Sequence, residues 1–271
     1  MVRPVSSLVS TAFGKANADN RAALVGYLPA GFPSVAGAIE AARAMAAAGA
    51  DIIEIGLPYS DPLIDGPVIA DAVHHALKGG TRLADVFDTV TAIASAGTAV
   101  LIMTYWNPVD ARGVDRFARD LANAGGAGLI TPDLTPEEAG PWLEASDSHG
   151  LDRVFLVAPS STAQRIEQIT AVCRGFVYAA SLMGITGARE TVSSGAATLV
   201  ERTREHTALP VAVGLGVSNA AQAKEVAGFA DGVIVGTAFV RRLAEAQDAD
   251  TAVADVRALT ADLAHGVRRA P

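Results

Sequence analysis

The chain has 271 residues, half of them hydrophobic and only 18% charged, which supplies a large buried core at a length common for a single α/β barrel. A formal net charge of −8 excludes a nucleic-acid or anionic-membrane surface, since both require basic patches. The lone Cys173 excludes an intramolecular disulfide and a cysteine metal cluster, and His74, His75, His149, His206 and His265 show no metal-ligand spacing.

In chain order, Met1 to Asn20 is polar and mixed, with no apolar signal core, so a soluble cytoplasmic protein is expected. A first apolar run, Ala22–Leu28, predicts a strand. It leads into Pro29-Ala30-Gly31-Phe32-Pro33, which is no dinucleotide fingerprint and weighs against a doubly wound open sheet. Ser34 caps a helix predicted over Val35–Ala48, and Asp51–Gly56 reads as a second strand. Thr89 to Val109 is uncharged, but its Ser95-Ala96-Gly97-Thr98 break and Asn107-Pro108 end predict helix, turn and buried strand (Ala99–Tyr105) rather than a membrane span.

Further on, a helix is predicted over Val114–Ala124 and a strand over Gly128–Thr131. Thr135-Pro136 opens a helix expected over Pro136–Ser148, followed by a strand at Arg153–Val157 and a helix at Ala163–Cys173. Strands at Phe176–Ala180, Pro210–Val213 and Gly232–Val235 complete the set, with Ser218-Asn219 capping a helix over Ala220–Ala227. The strands are short and apolar on nearly every residue, as in a parallel sheet covered on both faces. About eight strand–helix units predict a single (β/α)₈ TIM-barrel domain over residues 1–271, with a short N-terminal helix and extra helices. Chemistry is then expected where strands end and loops begin.

Glu54 is the only charge within the apolar strand Ile52–Ile55. A buried carboxylate costs several kcal/mol unless paired, hydrogen-bonded or protonated, so it reads as a catalytic acid or as a structural Glu with a satisfied partner. The following loop carries Ser60, Asp61 and Asp65 on a frame of Pro58, Pro62 and Pro67. Asp65 before Gly66 by itself fits an ordinary turn equally well. Three Gly-containing loops follow late strands: Gly184-Ile185-Thr186-Gly187, Gly214-Leu215-Gly216-Val217-Ser218 and Gly236-Thr237-Ala238. Together they predict a phosphate site built from main-chain N–H groups, which suits an anion on an acidic chain.

The run Glu54-Ile55-Gly56-Leu57-Pro58-Tyr59-Ser60-Asp61-Pro62-Leu63-Ile64-Asp65-Gly66-Pro67 resembles the signature of the tryptophan synthase alpha subunit, E-[LI]-G-x-P-[FY]-S-D-P-x-x-D-G-P, at every fixed position. That resemblance implies a lyase of tryptophan biosynthesis that cleaves indole-3-glycerol phosphate by a retro-aldol reaction, with Glu54 and Asp65 as its two catalytic acids. It assigns Tyr27, Met103, Ile130, Tyr178 and Leu215 to an indole pocket, although Ile130 and Met103 read nearly as well as plain core. It further assigns Gly187, Gly216, Gly236 and Thr237 to the phosphate, and Thr186 to holding the Asp65 carboxylate. Thr237 and Leu215 stand where relatives often have Ser and Phe, and Leu182 stands where many have Arg.

The same resemblance implies no cofactor on this chain, with pyridoxal phosphate only on a beta subunit, and an alpha2beta2 complex with that partner. Pro58, Asp61, Asn107, Asp133 and Pro136 resemble positions near the docking face, with Trp106 either an exposed anchor or buried. Three other functions share parts of the pattern. A stand-alone lyase releasing free indole would keep every catalytic residue. A phosphosugar isomerase would keep the phosphate loops but would not need the loop from Ser60 to Pro67. A regulatory subunit would bind phosphate ligand without turnover.

Overall fold

The computed structural model describes residues 7–180 and 189–269, with side chains throughout except at 189–194. Nine strand segments pair in parallel: β1 (Ala23–Pro29), β2 (Ile52–Gly56), β3 (Ala99–Met103), β4 (Gly128–Ile130), β5 (Asp152–Val154), β6 (Leu156–Val157), β7 (Val177–Ala180), β8 (Val211–Gly214) and β9 (Gly232–Val235). Their order is β5-β4-β3-β2-β1-β9-β8-β7-β6. The two ends of that order are consecutive pieces of residues 152–157, parted only at Phe155, so the sheet closes on itself as an eight-strand barrel.

Around it lie α1 (Leu8–Ala18), α2 (Val35–Ala48), α3 (Pro67–Lys78), α4 (Leu83–Ala94), α5 (Trp106–Arg112), α6 (Val114–Asn123), α7 (Gly140–His149), α8 (Ala163–Val172), α9 (Arg189–Arg204), α10 (Ala220–Ala227), α11 (Thr237–Glu245) and α12 (Ala249–Gly266). The predicted caps of two of them form: Ser34 accepts from Gly37 N at 3.0 Å and Asn219 from Gln222 N at 3.0 Å. Thr135 does not start a helix. Residues 135–139 form a turn, with Glu138 N donating to Thr135 O at 3.1 Å, and α7 begins only at Gly140. Strand β3 stops at Met103, two residues before the predicted limit, because Tyr105 becomes the N-cap of α5.

Side chains alternate across each strand with period two. Ala23, Val25, Ile52, Leu101, Ile130, Val154, Ala212 and Ile234 fill the barrel interior. Their neighbours Leu24, Ile53, Ile55, Val100 and Ile102 pack outward against helix residues such as Met45 and Val90. Helix α1 plugs the N-terminal end: Val9, Phe13 and Ala16 join the interior cluster, and the Phe13 ring lies 5.3 Å from that of Phe176. The opposite end stays free for loops. Among the described residues no helix is long and apolar enough to cross a membrane, and no group of three His, Cys, Asp or Glu is placed to hold a metal.

Candidate active site

The alternation that puts Ile52 inside the barrel puts Glu54 there too, one step nearer the C-terminal ends of the strands. Its register partners are Tyr27 on β1 and Leu101 on β3. Glu54 is 1% exposed and its Oε2 has no hydrogen-bond partner. Burial pushes its pKa up to about 8, and the charge of Asp65 pushes the same way. At neutral pH Glu54 is therefore predominantly a protonated acid with a proton to give.

Asp65 sits in the loop between β2 and α3, directly before the Gly66-Pro67 start of that helix. Burial raises its pKa as well, while the nearby Tyr105 hydroxyl acts in the opposite direction. The Tyr105 hydroxyl also accepts from Leu63 N at 2.9 Å and Ile64 N at 3.0 Å. Together Tyr27, Gly56, Asp65, Met103, Tyr105 and Pro132 line a cleft at the barrel mouth.

Tyr27 and Tyr178 flank the two acids, and their pKa values rise well above the usual phenol range through burial first and the charges of Glu54 and Asp65 second. Both rings lie against glycines at strand ends. A Cβ on Gly56 would stand 2.3 Å from the Tyr27 hydroxyl oxygen, and one on Gly214 would stand 2.4 Å from that of Tyr178. Gly214, expected only as part of a phosphate loop, thus also makes room for a phenol. Neither the Tyr105 tether nor these two slots is visible in the linear sequence, where Tyr105 merely ends an apolar run.

The other predicted residues fall at the same end of the barrel with unequal exposure. Met103 lines the cleft, whereas its register partner Ile130 is fully buried in the barrel interior. Leu215 is buried in the loop after β8, and Gly216 beside it is exposed with φ of 69°, a left-handed conformation that favours glycine. Gly236 caps α11 without a side-chain hydrogen bond, which leaves the first-turn N–H groups at Thr237 available to an anion. Thr186, Gly187 and Leu182 lie outside the described residues.

Around the rim, Asp61, Asn107 and Asp133 are exposed, Pro136 and Trp106 are half-buried, and Pro58 is buried. Trp106 packs against the core, and its backbone N–H donates to both Asp133 oxygens at 2.9 and 3.0 Å. Leu63 and Ile64 are 77% and 51% exposed, an apolar pair at the tip of the loop that carries Asp65.

Residues 13–268 match the family model for the tryptophan synthase alpha chain. The chain belongs to the tryptophan synthase alpha chain family. It is 60% identical to the tryptophan synthase alpha chain of Thermobifida fusca over 94% of its own length and 96% of the relative's. The alpha chain of Streptomyces coelicolor is 58% identical over 96% and 97% of the two lengths. Among solved structures, tryptophan synthase from M. tuberculosis in an aminoacrylate-bound form superposes with a TM-score of 0.89 at 51% identity, covering 97% of this chain and 100% of the other. The alpha subunit from Legionella pneumophila keeps a TM-score of 0.88 at only 29% identity, over 97% and 99% of the chains. The alpha chain barrel thus tolerates wide sequence change.

Proposed function

We propose that this chain cleaves indole-3-glycerol phosphate to indole and glyceraldehyde 3-phosphate in tryptophan biosynthesis, as one cytoplasmic domain that needs no cofactor of its own. The observation that carries the reading is a buried Glu54, its Oε2 without a hydrogen-bond partner, whose pKa burial and the charge of a second acid, Asp65, both push upward. Breaking the bond at indole C3 requires the ring first to become an indolenine. Protonated Glu54 delivers its proton to C3, while the Asp65 carboxylate accepts the N1–H hydrogen bond and offsets the positive charge that develops on the ring. Glu54, now a carboxylate, takes the proton of the adjacent glycerol hydroxyl. The C3–carbon bond then breaks, its electrons restore the indole, and the oxygen left behind becomes the aldehyde. Glu54 ends protonated, ready for another cycle.

Tyr27, Met103, Tyr178 and Leu215, with Ile130 beneath, form the apolar slot for the ring in this reading. Main-chain N–H groups at Gly187, Gly216, Gly236 and Thr237 hold the phosphate, so the acidic global charge is no obstacle. Thr186 assists Asp65. The partner is a beta chain carrying pyridoxal phosphate, in an alpha2beta2 assembly. The exposed Leu63–Ile64 pair beside Asp61, Asn107 and Asp133 supports a docking face there. Incubating the purified chain with indole-3-glycerol phosphate, with and without the beta chain, should release indole. Absence of indole under both conditions would contradict the assignment.

A further inference from the structure

Tyr105 stands where two loops meet. It is the N-cap of α5, it is 6% exposed, and the Tyr59 ring packs 5.4 Å from its own. The next two residues tie to the same surroundings: Trp106 N donates to Asp133, and Asn107 Nδ2 donates to the Tyr59 hydroxyl at 3.2 Å. The Tyr105 side chain is therefore fixed from its own strand end. By contrast, the side chains of Leu63 and Ile64 extend into solvent and anchor nothing by packing.

A phenol oxygen has two acceptor lone pairs and one proton. Leu63 N–H and Ile64 N–H occupy both lone pairs, at 2.9 and 3.0 Å, so the hydroxyl is left to act as a donor. Both donors stand directly before Asp65 in the chain, so the hydroxyl holds the backbone that carries that carboxyl. We infer that Tyr105 is the positioning residue for Asp65, its oxygen clamping the loop backbone immediately before that residue. This rests on the role proposed above for Asp65. Pro62 and Pro67 limit what the loop can do, and Tyr105 selects where Asp65 ends up. Tyr105 lines the same cleft as Asp65, and its proposed part is to place that residue rather than to exchange a proton with substrate.

A double-mutant cycle separates this from a merely structural role. Tyr105→Phe, Asp65→Asn and the double variant are compared by kcat, KM and pH profile for indole-3-glycerol phosphate cleavage. Tyr105→Phe should lower kcat by roughly 10- to 100-fold with KM changed less than about threefold, and move the acidic limb of the profile to higher pH. The double variant should be no slower than Asp65→Asn alone. Additive losses, or a loss confined to KM, would overturn the inference.

Tyr59→Phe, which leaves the Tyr105 oxygen in place, should keep near-normal kcat. A mutation-free readout is amide hydrogen exchange in the unmodified chain. The Leu63 and Ile64 amides should be protected despite their exposed side chains, and fast exchange at both would equally overturn the proposal. If the unmodified chain fails to cleave the substrate, the proposed function itself falls. If it cleaves normally and the cycle is additive, only the role of Tyr105 does.

Discussion

Tyr27 and Glu54 are register partners across the β1–β2 ladder, and both are buried at the barrel mouth. The pairing brings a phenol beside a carboxyl in a low-dielectric setting that disfavours charge on either. Burial keeps each group neutral, and the charge of Asp65 adds to the effect on both. The pH behaviour of the chain follows from this arrangement.

Activity should fall as pH rises through about 8, where Glu54 loses the proton it must deliver. The acidic limb should lie above the ordinary carboxylate range, because burial raises Asp65, which must be ionised to accept the indole N–H bond. A profile of kcat/KM from pH 4 to 10 checks both limbs. A flat profile through pH 10 would be inconsistent with Glu54 as the proton donor.

Stability should show the same residue with the opposite interest. The folded chain holds the Glu54 proton up to about pH 8, whereas the unfolded chain releases it near 4.5. The folded state thus binds more protons at this residue across that window, so the stability Glu54 contributes is full below pH 4.5 and declines as pH rises to about 8. Glu54→Gln should stabilise the chain at pH 9 by roughly 1–4 kcal/mol, with the gain shrinking toward pH 4. Urea unfolding at the two pH values measures it.

Asp152 makes a similar prediction far from the acids. It is fully buried where β5 begins, neither of its oxygens is hydrogen-bonded, and burial raises its pKa against the lowering pull of Arg174 and Arg153. Its stability contribution is likewise lost as pH rises from the ordinary carboxylate range through the raised folded value. Asp152→Asn should therefore raise the urea midpoint at pH 8 and leave turnover unchanged. A lower midpoint at pH 8 would show that the charge is needed.

Gly56→Ala should drive the Tyr27 ring from its slot, since the new Cβ would stand 2.3 Å from the hydroxyl oxygen. A loss of about 100-fold or more in kcat/KM is expected from the displaced mouth. Adding Tyr27→Leu should recover part of that loss, because the clash goes with the ring. Full activity of Gly56→Ala alone would mean the strand end yields freely.

Much of this was legible in the residues themselves. Glu54 stood out as a lone charge in an apolar strand, and the Ser34 and Asn219 caps follow from local chemistry. Asp65 was legible only through the matched loop, since alone it passes for a turn residue. In the sequence Tyr105 looks like the end of a strand, because its role comes from Leu63 and Ile64, some forty residues away along the chain. Asp152 passed unnoticed for the opposite reason: it sits one residue outside the predicted strand, where an acid looks like an exposed start. The closure of the barrel through residues 152–157 depends on one stretch pairing with two different neighbours, which periodicity cannot display.

The most direct measurement is single-substrate cleavage of indole-3-glycerol phosphate by the unmodified chain, Glu54→Gln and Asp65→Asn, each with the beta chain present. The unmodified chain should yield indole and glyceraldehyde 3-phosphate in equal amounts, and each substitution should lower kcat by roughly 100-fold or more. Near-normal turnover by both variants would contradict the two-acid account.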